Sequence, residues 1–305
     1  MSLANKLSRF NSTSLTGPNA TVGARCSRSP PGPRGGPGAV GRLGSAALEP
    51  ARRPGFRGGP RARQAGAMQT IGLIGGMSWL STEAYYRRIN EQVAARRGGH
   101  ASARITLQSL DFAEVRECQL RGDWQGAGDL LAGAARRCEA GGADLVAICT
   151  NLMHKVFADV ESAVSVPAVH IADAVAAVAR REGWTTLGLL GTSWVMEETF
   201  YADRLATHGI AVVVPGPADR AEVDRVIFEE ITRGRFLDPA RERYVAVMRD
   251  LAGRGAQAVA LACTEIGLLV GPDQAPLPTI DSATAHADLL VDLALAAQPA
   301  DRVSG

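Results

Sequence analysis

Two similar strand ends constrain what this chain can fold into. Each is an apolar run that breaks into a cysteine, a threonine and a further polar residue before a helix-like pattern begins. The first covers 146–154 (VAICTNLMH) and the second covers 260–266 (ALACTEI). In open parallel sheets, ligands collect beyond the carboxyl ends of the strands. The two strand ends therefore predict two half-sites that face one ligand.

Charge separates an N-terminal segment from the rest of the chain. Residues 1–67 hold eleven of the 33 basic residues but only one acidic residue, Glu49. The net charge of the whole chain is +2, so the residues after this segment carry a net charge of −8. This segment is rich in Gly, Pro, Ser and Arg, which cannot bury enough apolar surface to fold. We expect a disordered or non-native extension, with Met68 as the start; a transit peptide or an RNA-binding tail is the alternative. The acidic remainder gives no indication of nucleic-acid binding.

The five cysteines do not match the sequence patterns of disulfide-bonded domains or of zinc-binding domains. Their number is odd and no CxxC pair occurs, so neither a disulfide framework nor a zinc site is predicted. No apolar run approaches the roughly 18 residues that span a membrane, and the N-terminus lacks the apolar core of a secretory signal. We expect a cytoplasmic protein that does not bind a membrane and needs no metal or organic cofactor.

Strand-like and helix-like runs alternate from Met68 onwards, which is typical of parallel sheets covered by helices. The chain is too long for one five-stranded sheet. The predicted fold class is α/β, with two pseudo-symmetric doubly wound parallel-sheet domains and the active site in the cleft between them. The predicted domains are 68–170 and 171–280, with a C-terminal helix at 281–298 that joins the first. The predicted strands lie within 70–78, 104–109, 145–148, 166–171, 186–192, 210–215, 258–262 and 277–281. The predicted longer helices lie near 81–89, 124–141, 221–231, 239–252 and 284–297, and one begins at Asp173.

A glycine-rich loop follows the first predicted strand. Gly75 and Gly76 precede a helix that begins near Ser81, and such glycines let backbone N–H groups approach a carboxylate or a phosphate. The spacing lacks the dinucleotide fingerprint and the lysine of a P-loop. A plain strand-to-helix turn is the alternative interpretation.

Cysteine suits the removal of a carbon-bound proton in a dry cleft. A thiolate is a workable base near neutral pH, and we expect the helices that follow both strand ends to lower the thiol pKa. An acid and a base on opposite faces of one carbon would invert its configuration. Asn151, Thr150, Thr264 and Glu265 could bind a carboxylate and an ammonium group. The alternative for either cysteine is a buried, inert side chain.

Several motifs resemble those of the aspartate/glutamate racemase family, in its amino-acid racemase branch. The resemblance covers about 70–298 and implies two pseudo-symmetric α/β domains, no cofactor, a homodimer, and a two-base proton transfer at Cα of an acidic amino acid. The motifs are 72–79 (GLIGGMSW), Tyr85-Tyr86, Ile89-Asn90, 149–155 (CTNLMHK), 170–173 (HIAD), 190–192 (LGT) and 263–266 (CTEI).

One departure from the family pattern decides the first catalytic residue. The pattern sets a cysteine four residues before the motif histidine, His154, and that position here is Thr150. Neighbours on a strand point to opposite faces, so Cys149 is predicted to point into the sheet. The resemblance then implies Thr150 and Cys263 as the catalytic pair, with Cys149 and His154 as supporting residues. The predicted substrate contacts are Met77, Gln108, Asn151, Leu152, Thr192, Thr264 and Glu265.

Three functions compete at this point. The leading hypothesis is a cofactor-independent racemase that interconverts L- and D-aspartate, glutamate or both. Threonine is a much weaker base than a thiolate, which keeps a single-thiol decarboxylase or a cis–trans isomerase of a dicarboxylate as the alternative enzyme. The third hypothesis is a non-catalytic module that binds an acidic amino acid, and the joint presence of Cys263, Thr264 and Glu265 argues against it.

Overall fold

The computed structural model describes residues 68–296, so the predicted extension 1–67 and residues 297–305 lie outside the described part. Eight strands form two four-stranded sheets in the orders β2-β1-β3-β4 and β6-β5-β7-β8, and all neighbouring strands are parallel. The same winding therefore occurs twice, which confirms the predicted fold class. The strands are β1 (Ile71–Gly75), β2 (Ile105–Ser109), β3 (Leu145–Ile148), β4 (Ala168–Val169), β5 (Thr186–Gly191), β6 (Ala211–Val213), β7 (Ala258–Ala262) and β8 (Thr279–Asp281).

Helices connect the strands and cover both faces of each sheet, as parallel sheets require. Two 3₁₀ turns, Leu152–Val156 and Ile231–Arg233, supplement them. The helices are α1 (Trp79–Arg97), α2 (Phe112–Arg121), α3 (Trp124–Ala140), α4 (Phe157–Ser162), α5 (Ile171–Arg181), α6 (Ser193–Glu197), α7 (Thr199–Ala206), α8 (Pro217–Glu229), α9 (Asp238–Gly253), α10 (Ile266–Leu269) and α11 (Ser282–Ala296). No helix within residues 68–296 is long and apolar enough to cross a membrane.

We call the first sheet with the helices packed on it the first lobe, and the second sheet with its helices the second lobe. Alternate residues of each central strand enter different apolar cores. In β3, for example, Val146 and Ile148 pack towards α3, whereas Leu145 and Ala147 pack towards α1 and α11. Each sheet is therefore buried on both faces, which explains why its central strands are continuous apolar runs.

The C-terminal helix α11 returns to the first lobe after the second sheet is complete. Ala287, Leu290 and Val291 are buried in the core that also holds Tyr85 and Ile89 of α1. The assignment of 281–298 to the first domain, and the limits of both domains, stay predictions.

The glycine loop after β1 serves internal packing. Gly76 has φ 93°, and an added Cβ would lie 2.1 Å from the carbonyl oxygen of Leu110. Its N–H donates to Thr82 Oγ1 at 2.8 Å. The interpretation as an anion-binding loop is therefore wrong for this N–H group, because a side chain of α1 already occupies it.

Two helices of at least eight residues are absent from the sequence-based prediction. α2 begins at the side-chain cap of Asp111, which accepts from the Ala113 N–H, and ends at Gly122 in the left-handed region. α7 is only eight residues long and buries two side chains, Tyr201 and Leu205. Both helices have short apolar stripes, so hydrophobic periodicity gives little signal for them.

Three buried histidines meet where the two lobes join. His154 Nδ1–H donates to the Thr150 carbonyl at 2.8 Å, and its Nε2 accepts from the Ile171 N–H at 3.1 Å. His286 contacts the Tyr85 hydroxyl and a backbone carbonyl, and His170 caps α5 by accepting from a backbone N–H. Burial lowers the pKa of His154 to about 4 and that of His286 to about 3, and it also lowers the pKa of His170.

These histidines predict that the protein loses stability in mild acid. Between pH 6.5 and pH 5 the unfolded chain binds protons that the folded chain excludes. The free energy of unfolding therefore decreases as the pH is lowered. Each fully neutral histidine contributes a slope of about 1.4 kcal/mol per pH unit. Urea unfolding at several pH values measures the slope. His286→Gln should reduce it by about a third, whereas the control His100→Gln, at an exposed position, should leave it unchanged; a flat profile above pH 5 would contradict the prediction.

Candidate functional site

A cavity of about 170 Å³ lies between the lobes at the carboxyl ends of the central strands, and we call it the interlobe cavity. It is smaller than the roughly 300–1,000 Å³ of sites for drug-sized ligands, so it suits a small metabolite. Each lobe contributes nine of the residues that line this cavity. Those of the first lobe are Met77, Ser78, Ser81, Phe112, Arg116, Gln119, Thr150, Asn151 and Leu152. Those of the second lobe are Thr192, Val195, Ile227, Phe228, Thr232, Ala262, Cys263, Thr264 and Glu265.

Strand register identifies equivalent positions in the two lobes. The central strands are β1 and β3 in the first lobe and β5 and β7 in the second. The residue before the final glycine of β1 pairs with a residue of β3, and the residue before the final glycine of β5 pairs with a residue of β7. Thr150 and Cys263 each follow that paired residue by two positions, so they are structural equivalents. The equivalent of Cys149 is Ala262, which lines the cavity, whereas Cys149 does not. The paired residues are Ile74 with Ile148 and Leu190 with Leu261.

Cys149 lies on the other side of the first sheet. Its side chain is 1% exposed and packs with Ala147, Tyr85 and Leu290 rather than facing the interlobe cavity. Burial raises the pKa of the Cys149 thiol. The predicted alternation between Cys149 and Thr150 is what the structure has, and Cys149 acts there as a small apolar side chain.

A chain of hydroxyl groups holds the carboxylate of Glu265 beside Cys263. The Cys263 Sγ lies 3.4 Å from Glu265 Oε2, and Thr264 donates to the same oxygen at 2.6 Å. Ser81 shares a 2.5 Å hydrogen bond with the Thr264 hydroxyl, and Ser78 donates to Glu265 Oε1 at 3.1 Å. The serines come from the first lobe, so this network crosses the cavity. No basic side chain of residues 68–296 pairs with Glu265.

The expectation that a helix lowers the thiol pKa of Cys263 is wrong. Burial is the main reason that its pKa rises well above the ordinary value, and the negative charge of Glu265 raises it further. The helix that follows, α10, has only four residues, which is too short to offset these effects. Cys263 is therefore a thiol, with a carboxylate in place to receive its proton.

Two buried polar atoms at the interlobe cavity have no partner. Asn151 is 3% exposed; its amide nitrogen donates to Ser282 Oγ at 3.0 Å, but its Oδ1 makes no hydrogen bond. Thr192 Oγ1 is also unpaired. Unsatisfied buried polar groups are unfavourable and rare. These two oxygens are suited to accept hydrogen bonds from a ligand, such as the N–H groups of an ammonium.

Arg116 is the basic residue among the described residues that line the interlobe cavity. It is half-buried on α2, and its Nη1 donates to Gln119 Oε1 at 3.1 Å. None of the carboxylates within residues 68–296 forms an ion pair with it. A guanidinium whose charge no protein carboxylate neutralises is suited to bind a carboxylate of a ligand through two parallel hydrogen bonds.

Gln108 does not line the interlobe cavity. It belongs to the edge strand β2, and its Oε1 accepts from Arg137 Nε at 2.9 Å. The predicted substrate contact is therefore wrong, and Gln119 on α2 supplies an amide to the cavity instead. The other predicted contacts, Met77, Asn151, Leu152, Thr192, Thr264 and Glu265, all line it.

His154 supports Thr150 from behind. It is 2% exposed and does not line the cavity, and both ring nitrogens are occupied by backbone groups. It cannot take a proton from a ligand without breaking a hydrogen bond, so an orienting role fits and a role as a base does not. Within residues 68–296, no group of three or more His, Cys, Asp or Glu side chains is arranged to hold a metal ion.

Comparisons with known proteins identify the family of this chain. The sequence model of the family described as Asp/Glu/Hydantoin racemase matches residues 74–290. A candidate Asp/Glu racemase from Yersinia pestis is 45% identical, with 75% of this chain and 100% of that chain covered and a TM-score of 0.72. An aspartate racemase homologue from Pyrococcus horikoshii is 33% identical over 74% of this chain and 99% of that chain, with a TM-score of 0.65. An aspartate racemase from Picrophilus torridus, at 21% identity and a TM-score of 0.58, shares the fold.

Glu265 should control the ionisation of Cys263. Because the carboxylate raises the thiol pKa, Glu265→Gln should shift the pH profile of Cys263 alkylation to lower pH. Iodoacetamide labelling, followed by mass spectrometry of the peptide that contains Cys263, measures this profile separately from the other thiols. Glu198→Gln is the matched control, because Glu198 pairs with Lys155 instead. Equal profiles for wild type and Glu265→Gln would refute the role of Glu265.

Proposed function

The chain belongs to the Asp/Glu/hydantoin racemase family, and from this premise we propose that it interconverts the enantiomers of aspartate, glutamate or both. The observation that carries the proposal is the pair of Thr150 and Cys263 at equivalent strand ends, both lining the interlobe cavity from opposite lobes. Two proton-transfer groups on opposite sides of one ligand are what inversion at a carbon needs.

In the proposed reaction, the thiolate of Cys263 removes the proton from Cα, and the electrons of that C–H bond pass into the α-carboxylate. Thr150 donates its hydroxyl proton to the opposite face of Cα, which completes the inversion. Its alkoxide is then neutralised by a proton from solvent. Glu265 supports the first step, because its carboxylate lies 3.4 Å from the thiol and can take the proton that must leave before the thiolate acts.

Substrate binding in this proposal uses the unpaired groups of the cavity. The ammonium group is bound by Asn151 Oδ1 and Thr192 Oγ1, which lack partners, together with Glu265. The side-chain carboxylate is bound by Arg116, since that guanidinium is not neutralised by any described carboxylate. An acidic amino acid satisfies all of these groups at once, whereas a neutral amino acid would leave the Arg116 charge uncompensated.

Thr150 makes proton exchange at Cα unequal for the two enantiomers. A hydroxyl is a far weaker base than a thiolate, so Cys263 removes a Cα proton more easily than Thr150 does. The enantiomer whose Cα–H faces Cys263 should therefore exchange this proton faster than its mirror image, although the equilibrium between the two enantiomers stays at equal amounts.

Deuterium incorporation at Cα tests the proposal. Each enantiomer of aspartate and glutamate is incubated with the protein in D₂O, and Cα–D is read by NMR while the enantiomers are separated by chiral chromatography. We expect exchange and inversion for at least one of the two amino acids, with unequal initial rates for its enantiomers. Complete absence of exchange for all four substrates would refute the racemase assignment.

Three variants assign the roles of the pair. Cys263→Ser should lower exchange by about 10²–10⁴-fold, because it removes the thiolate. Thr150→Ala should abolish inversion while some exchange through Cys263 remains. Cys149→Ala is the matched control: it should stay active and lose about 1 kcal/mol of stability through a small buried cavity. An inactive Cys149→Ala beside an active Thr150→Ala would mean that Cys149 is the second base.

Restoring a second thiol tests the asymmetry. Thr150→Cys should bring the rates for the two enantiomers closer together, because both faces of Cα would then meet a thiol. Initial rates of deuterium exchange from each enantiomer measure the ratio. An unchanged ratio would show that Thr150 does not set the preference for one enantiomer.

A further inference from the structure

Arg116 lies against two aromatic rings of the other lobe. Its guanidinium carbon is 4.7 Å from the ring centroid of Phe228 and 5.6 Å from that of Trp194. Arg116 is on α2 of the first lobe, whereas Phe228 is on α8 and Trp194 is on α6 of the second. A cation within about 6 Å of an aromatic face is attracted by the ring quadrupole, so both contacts hold the guanidinium across the interlobe cavity.

Gln119 holds the same guanidinium from its own lobe. Its Oε1 accepts from Arg116 Nη1, and its amide nitrogen donates to the sulfur of Met153 at 3.2 Å. Gln119 and Met153 are both buried, which fixes the orientation of the amide. Arg116 is therefore held by one amide and two rings, none of which neutralises its charge.

Trp194 is fixed by a second set of contacts across the cleft. It packs edge-to-face against Trp124 of the first lobe, with ring centroids 6.1 Å apart. Lys155 Nζ lies 3.9 Å from the Trp124 ring centroid and forms an ion pair with Glu198 of the second lobe. These contacts restrain Trp194 and so keep its ring in place beside Arg116.

Aromatic faces suit a cation that has to bind a ligand anion. A carboxylate partner from the protein would have to be displaced before a substrate carboxylate could bind. A ring stacked on the guanidinium face leaves the N–H donors in the guanidinium plane available for a bidentate contact.

We propose that Phe228 and Trp194 are positioning residues that hold Arg116 in the orientation that binds the side-chain carboxylate of the substrate. The inference rests on the proposed function for the class of ligand. Arg116 belongs to the first lobe, and the rings of the second lobe then control which ligand its guanidinium binds. Selection of a second carboxylate consequently depends on the two lobes being closed around the cavity.

Binding of a dicarboxylate tests this without turnover. Glutarate has two carboxylates and no amino group, and its Kd is measured by calorimetry with the full chain. Phe228→Leu should raise the Kd by roughly 3- to 30-fold, the range expected for one cation–π contact, while Phe228→Tyr, which keeps the ring, should stay within twofold of wild type. Phe236→Leu is the matched control, because Phe236 is exposed and does not contact Arg116. Trp194→Leu removes the more distant ring and gives an independent measurement with a smaller increase.

Steady-state kinetics should show that Phe228 affects substrate binding rather than the chemical step. Phe228→Leu should raise KM for the preferred amino acid with little change in kcat, because the ring does not touch Cα. The inference is overturned if wild type does not bind glutarate, if Phe228→Leu and Trp194→Leu both bind it as wild type does, or if Phe228→Tyr loses as much affinity as Phe228→Leu. The racemase assignment fails separately: weaker glutarate binding by Phe228→Leu, in a protein that shows no Cα exchange, would refute the assignment and support this inference.

Discussion

The register of the parallel strands decides which side chains reach the interlobe cavity. Pairing of β1 with β3 in one lobe and of β5 with β7 in the other places Thr150 and Cys263 at equivalent positions. A shift of one residue would send Cys149 to the interlobe cavity and Thr150 into the core, because strand neighbours alternate between faces. The apolar residues that alternate along β3 lock this register, so the packing of the first lobe determines which side chain faces a substrate.

Burial raises the pKa of the Cys263 thiol, which limits its reactivity towards electrophiles in general and so makes it selective. Cys263 lies in a cavity that disfavours its charge, and the neighbouring Glu265 disfavours it further. A permanent thiolate would react with many electrophiles, whereas a protonated thiol beside a carboxylate ionises by an internal proton transfer. A bound ammonium group near Glu265 would change that balance, because a positive charge favours the thiolate. The ligand itself can therefore contribute to the activation of the base that acts on it.

Much of this arrangement follows from the sequence, for identifiable reasons. The βα alternation and the two Cys-Thr strand ends are local patterns that predict the fold class. The four-residue spacing from Thr150 to His154 predicts the pair of Thr150 and Cys263 through the resemblance to the racemase family. Arg116, Gln119 and Phe228 are different. They lie on helices whose contacts with the cavity depend on how the two lobes pack, and α2 has too short an apolar stripe to be recognised. Gln108, which the sequence predicts as a substrate contact, lies on the edge strand β2, where its side-chain oxygen accepts a hydrogen bond from Arg137.

Three polar contacts at the interlobe cavity connect the two lobes. Ser81 reaches Thr264, Ser78 reaches Glu265, and Asn151 connects through Ser282 to the Leu261 carbonyl of β7. Neither lobe alone would present a carboxylate, an amide and a guanidinium to one ligand. A symmetric winding therefore gives two similar strand ends, and the different side chains on each half make the assembled site asymmetric. In the proposed reaction, the two faces of the planar carbanion at Cα therefore meet a thiol on one side and a hydroxyl on the other.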